Sequence, residues 1–208
     1  MAEHPRKTAA AHRLFLVRHG HYDRVEGMTD EEYGLSMKGR RQAARLARRL
    51  SRLMESYEGG FDGIFSSPWP RALQTAEITA HELGLDRVRV KPYLFECITL
   101  IAQNDPLTGA LGMPPTTAAD RAITLDRLER VTGRFFKSRR RETISMLFCH
   151  GNLIRYLVAH ACGLPLEYWA RMEICHASLT ELRIFAGGMT TLNRYNDTGH
   201  LPPELTSS

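Results

Sequence analysis

Two patterns alternate along this chain. Short unbroken apolar runs end abruptly in polar residues, and longer stretches repeat apolar residues at helical spacing. Leu14-Phe15-Leu16-Val17 is the first run; it reads as a buried strand ending in Arg18-His19-Gly20. Polar residues 21–35 form a loop, after which Ser36 is placed to cap a helix. Ala43, Leu46, Ala47, Leu50, Leu53 and Met54 share one face of that helix. The arginines at 40, 41, 45, 48, 49 and 52 lie mostly on the other face, and Gly59-Gly60 is expected to close the helix. Residues 61–65 predict a second strand, and 70–83 a helix with Pro70 in its first turn. A short strand at 88–91 leads to a loop carrying Glu96. Residues 102–118 read as irregular, 119–138 as a helix, and 144–149 as a buried strand ending in His150-Gly151. Residues 152–162 form a further helix ended by Gly163 and Pro165. The stretches 178–185 and 189–195 flank Gly187-Gly188 as a hairpin. Strands alternating with helices imply an α/β fold: three layers, α/β/α, around a mainly parallel sheet.

Composition narrows the class without naming a function. The 208 residues suit one domain, read as a flexible arm over 1–12 and a folded domain over 13–208. Hydrophobic residues at 43% and charged residues at 25% exclude disordered and fibrous classes. No apolar run approaches the ~18 residues of a membrane helix, so no membrane partner is expected. The net charge of +5 permits anionic ligands without specifying one. Cysteines 97, 149, 162 and 175 form no C-x-x-C pair, which speaks for reduced thiols and against a zinc ribbon. The basic N-terminus lacks the apolar stretch of a secretory leader. It reads as a solvated arm of a cytoplasmic protein, with an organelle address as the alternative.

Placement assembles the chemistry. Ligands of open α/β sheets bind beyond the carboxyl ends of the strands. The first strand delivers Arg18 and His19 there, and the second leads to Arg71 on its helix's first turn. The third leads to Glu96, and the strand at 144–149 delivers His150 with Gly151 and Asn152 behind it. Two guanidinium forks and two imidazoles make a cationic cup matched to phosphate oxygens. A neutral imidazole is also a nucleophile, and Arg18 beside His19 favours the neutral form. Glu96 is the proton carrier available for a leaving alkoxide. Such a set points to phosphoryl transfer through a phosphohistidine.

At these residues the chain resembles the histidine phosphatase, or phosphoglycerate mutase-like, superfamily. Leu16-Val17-Arg18-His19-Gly20 matches its opening signature. Leu35-Ser36-Met37-Lys38-Gly39-Arg40 matches its loop-to-helix element, with Ser36 where threonine is usual. Ser66-Ser67-Pro68-Trp69-Pro70-Arg71-Ala72-Leu73-Gln74-Thr75-Ala76 matches its second block. Leu94-Phe95-Glu96 and Cys149-His150-Gly151-Asn152 follow in family order. The resemblance implies a phosphorylated nucleophile at His19, a phosphate held by Arg18, Arg71 and His150, and a proton donor at Glu96. It implies no metal and no organic cofactor. One departure is visible: Val25 falls where the family often places a phosphate-contacting asparagine, leaving His21, Tyr22 or another loop residue to substitute.

The C-terminal third, through Asp197-Thr198-Gly199-His200-Leu201-Pro202-Pro203, is similar to the mitochondrial Ser/Thr protein phosphatase branch of the family. That branch carries a membrane segment and an oligomerisation motif ahead of the catalytic domain. These 208 residues contain neither, so a membrane location is not carried over. The expected function is metal-independent hydrolysis of a phosphate ester on a phosphorylated small molecule or a phosphoprotein. A phosphoglycerate-type mutase and a non-catalytic phosphate-binding module are the alternatives. A nucleic-acid partner is not expected, because the arginine-rich helix lacks interleaved aromatics. A homodimer is compatible with the resemblance. For Trp69 and Trp169 packing is the default, with lining a pocket as the alternative.

Overall fold

The computed structural model describes residues 10–55, 57–101, 112 and 114–208. β1 (His12–Arg18) leads through a long loop to α1 (Met37–Glu55), then β2 (Gly60–Ser66) and α2 (Pro70–Glu82). β3 (Val88–Val90) follows, then α3 (Ala118–Phe135), β4 (Thr143–Cys149) and α4 (Gly151–Ala161), and finally β5 (Leu179–Ile184) and β6 (Thr190–Asp197). The sheet runs β3-β2-β4-β1-β5-β6. β3, β2, β4 and β1 are parallel, whereas β1–β5 and β5–β6 pair antiparallel, so the chain ends in the expected hairpin. Gly187 and Gly188, at φ 77° and 81°, make its turn in a region that side chains disfavour.

The strands are apolar on both sides because both faces are covered. Leu14 and Leu16 pack with Leu128, Val131, Leu153 and Leu157 beneath α3 and α4. Phe15 and Val17 pack with Leu46, Leu50, Ala76 and Ala80 beneath α1 and α2. Consecutive residues of β1 thus enter opposite cores, the period-two rule read on a doubly covered sheet. This is the expected three-layer α/β/α arrangement.

Two boundaries differ from expectation. The helix after Ser36 stops at Glu55, and Gly60 opens β2, donating its N–H to Glu142 O at 2.8 Å. His12, assigned to the arm, is the first residue of β1. Its ring lies fully buried, bound to Ser145 Oγ at 2.8 Å and Lys137 O at 3.1 Å, so the strand takes a polar residue that hydropathy assigns to the arm. Of the irregular stretch, 102–111 and 113 lie outside the described residues. Residues 114–117 form no regular element, and Thr117 caps α3 through Asp120 N.

Candidate active site

Because β1, β2 and β4 run parallel, their carboxyl ends open on one edge and bring Arg18-His19, Ser67 and His150 together. The loop after β1 is pressed against α1. A Cβ on Gly20 would stand 2.7 Å from Gly39 O, and one on Gly39 would stand 2.0 Å from His21 O. Ser36 Oγ accepts from Gly39 N at 3.1 Å, the cap expected from sequence. The signature's glycines are therefore spacing elements that let a helix start touch the loop that follows His19.

His19 is buried, and its Nδ1 lies 2.8 Å from Gly20 O. A carbonyl only accepts, so Nδ1 carries the proton and Nε2 holds the lone pair. Arg71 Nε donates to that Nε2 at 3.2 Å. Burial holds the His19 pKa well below its ordinary value, with His150, Arg18 and Arg71 adding in that order. The adjacent arginine therefore acts as expected, second to desolvation.

His150 faces His19 with ring centroids 5.1 Å apart. It stands at the N-cap of α4, with Nε2 2.8 Å from Ser67 Oγ, and burial followed by Arg71 keeps it neutral. Arg71, on the first turn of α2, is 2% exposed; its outer nitrogens bind the carbonyl and, at 3.1 Å, the carboxylate of Asp30. Its guanidinium lies 4.5 Å from the ring centres of both Tyr22 and Trp69. Arg18 is anchored through Ile174 O. A Cβ on Gly151 would stand 3.6 Å from Arg18 Nε, so the glycine leaves that guanidinium its place.

Glu96 sits at the start of α4, where Oε1 accepts from the N–H groups of Cys97, Asn152 and Leu153 at 3.0, 3.1 and 3.2 Å. Burial nevertheless raises its pKa, the direction a proton donor needs. Asn152 is placed differently from its expected substrate-binding role. Its side chain donates to Cys97 O and accepts from Arg155, so it braces the Glu96 loop.

Of the loop substitutes for the asparagine absent at Val25, Tyr22 lies nearest, its ring 5.5 Å from that of His19. His21 turns to Ser36 Oγ instead, at 2.8 Å, and Val25 is 51% exposed. Trp169 packs as assigned, donating to Leu100 O at 2.6 Å. Trp69 takes the pocket-lining alternative: its ring centre is 4.6 Å from that of His150. Asp30 and His176 are at the site without having been singled out in the sequence. The first is one acid among several in a polar loop, and the second follows no strand or motif. Among the described residues, no three His, Cys, Asp or Glu side chains gather as metal ligands, and no helix is long and apolar enough to cross a membrane.

A model of the histidine phosphatase superfamily (branch 1) matches residues 14–99 and 109–198, and the chain belongs to that superfamily. Within it, the chain is similar to the serine/threonine-protein phosphatase Pgam5, mitochondrial, of Drosophila grimshawi. The two are 32% identical over 200 residues, covering 95% of this chain and 67% of the relative. A second such relative, from Drosophila mojavensis, is 33% identical, with 65% of its length covered, so the chain spans about two thirds of these proteins. Among solved structures, a mycobacterial glucosyl-3-phosphoglycerate phosphatase superposes with a TM-score of 0.62 at 25% identity, covering 89% of this chain and 99% of that one. The phosphoglycerate mutase of Plasmodium falciparum shares the fold, with a TM-score of 0.61 at 21% identity over 93% of this chain and 96% of that one.

Proposed function

We propose that this protein is a metal-independent phosphomonoesterase that works through a phosphohistidine on His19. One observation carries the reading. Arg18 Nε, Trp69 Nε1, His150 Nδ1 and His176 Nε2 are buried without a hydrogen-bond partner, and all four belong to residues gathered about His19. Buried polar groups are ordinarily satisfied, and a cluster of exceptions around one nucleophile fits an anionic ligand. Arg71, engaged by the Asp30 carboxylate, has the geometry to hold an oxyanion.

His19 Nε2 attacks phosphorus while the ester P–O bond breaks, and Glu96 gives its proton to the departing oxygen. Arg18, Arg71 and His150 hold the phosphoryl oxygens as charge shifts onto them. Water then attacks the phosphohistidine, its proton passes to the Glu96 carboxylate, and His19 and inorganic phosphate are regenerated. Gly151 makes room for Arg18, and Asn152 steadies Glu96.

Hydrolysis ranks above mutase transfer because a mutase must shield its intermediate from water. The substrate is a phosphorylated small molecule or a phosphoprotein. The similarity to Pgam5 supports the second, and the similarity to the glucosyl-3-phosphoglycerate phosphatase supports the first. Parallel metabolite and phosphopeptide panels decide between them. A cytoplasmic location and a homodimer stay part of the proposal; imaging of the tagged full chain and sedimentation test them. Phosphate release from an aryl phosphate in excess chelator tests the activity. Turnover is expected in the wild type, and its absence there, with tight phosphate binding, would favour the binding-module alternative.

A further inference from the structure

We propose that His176 is a further phosphate-binding residue, its buried Nε2 a hydrogen-bond partner of the phosphoryl group at His19. The inference rests on the phosphatase reading above and adds a residue to that site.

His176 stands on a tight turn wrapped around the signature. Arg18 N donates to Ser178 O at 3.3 Å and Ala177 N donates to His19 O at 3.1 Å. Ala177 adopts φ 53°, a left-handed backbone that costs a non-glycine residue energy and that recurs where a side chain must be presented. The His176 ring centre is 5.6 Å from that of His19 and 5.4 Å from that of His21. The residue is 5% exposed, yet Nε2 has no partner. A core histidine ordinarily uses both nitrogens, as His12 does with Lys137 and Ser145. An unmade bond on a buried group is destabilising, so it calls for a ligand.

The hydrogen-bond chain behind the ring decides which nitrogen is left for a ligand. His21 N–H is a donor only, so the Gln42 atom 2.7 Å away is its carbonyl oxygen. Gln42 Nε2 therefore faces the C-terminal segment, donating to Leu205 O at 2.6 Å and Ser207 Oγ at 3.0 Å. Ser207 Oγ lies 3.2 Å from His176 Nδ1, and Ser207 O accepts the His176 backbone N–H at 2.8 Å. Nδ1 is thus braced by Ser207, and Nε2 is the ring nitrogen without a partner. Burial, with Arg18 and His21 next in effect, brings the His176 pKa to about 3, so the ring stays neutral at physiological pH. With Nδ1 engaged, Nε2 is left to the phosphoryl group at His19.

Orthovanadate affinity by calorimetry and kcat and KM on an aryl phosphate test this in full-length wild type, His176→Leu, His176→Gln and Ser207→Ala. His176→Leu is expected to weaken vanadate binding and lower kcat/KM by about 10- to 100-fold, the span of a lost bond to a charged group. His176→Gln places an N–H near the same point and is expected to recover most of both. Ser207→Ala removes the Oγ brace on Nδ1 and is expected to weaken vanadate binding a few-fold. Vanadate affinity unchanged in His176→Leu, or a folded His176→Gln as weak as the leucine variant, overturns the assignment. Should both His176 variants fail to fold, Ser207→Ala decides, and wild-type affinity in it overturns the assignment. A wild type that neither binds vanadate nor hydrolyses the ester removes the phosphatase reading itself, and this inference with it.

Discussion

Arg71 Nε donates to His19 Nε2 across 3.2 Å, while the outer nitrogens of the same guanidinium hold Asp30. One buried cation thus bridges His19 and an acid of the exposed loop after β1. The bridge engages the His19 lone pair and, on the proposed mechanism, fills donors that an incoming phosphate requires.

On the proposed mechanism Asp30 competes with the substrate anion. Its carboxylate is 53% exposed, so the ion pair with Arg71 is worth about 1 kcal/mol or less. Asp30→Asn is expected to lower the inhibition constant of inorganic phosphate about two- to fivefold in steady-state assays. A rise instead would assign Asp30 to holding Arg71 in place for the substrate.

Glu96 is expected to matter most when the leaving oxygen needs a proton. Glu96→Gln should slow alkyl phosphate esters by about 10²–10⁴-fold and nitrophenyl phosphate far less, because nitrophenolate leaves unprotonated. Comparing kcat/KM for the two ester classes measures this. Equal losses on both would take the proton-donor role away from Glu96.

Acid sensitivity follows from the buried histidines. His12 and His200 have folded pKa values lowered to about 4, in both cases by burial first, with Arg139 and Arg49 next. Between about pH 6.5 and 4 the unfolded chain binds protons at these rings that the folded chain does not, so stability falls as pH falls. Each ring contributes up to about 1.4 kcal/mol per pH unit in that window. Urea midpoints at pH 7, 5.5 and 4.5 should decline steadily, and His12→Gln should flatten the decline. A midpoint constant across this range would contradict the buried, neutral assignment.

The strands that carry the site were legible because parallel strands covered on both faces are written as continuous apolar runs. Leu14–Val17 and Met146–Cys149 announce themselves, and Arg18, His19 and His150 are the polar residues where those runs stop. His12 escaped the same logic because its burial depends on Ser145 and Lys137, more than a hundred residues away in sequence. Asp30 resembles Asp23, Glu26, Glu31 and Glu32 around it until the loop folds back on Arg71. His176 and Ser207 are joined only by tertiary structure, so no spacing links them. Asn152 kept its predicted place beside His150 but braces Glu96, a division of labour that residue type alone does not reveal.

The central claim is covalent transfer to His19, and rapid-quench trapping with a ³²P-labelled aryl phosphate tests it most directly. The wild type should show acid-labile, alkali-stable label that maps to the peptide containing His19 and turns over at least as fast as steady-state hydrolysis. His19→Ala should show neither label nor turnover. Hydrolysis that persists at the wild-type rate in His19→Ala, with no trapped label in either protein, would contradict the account.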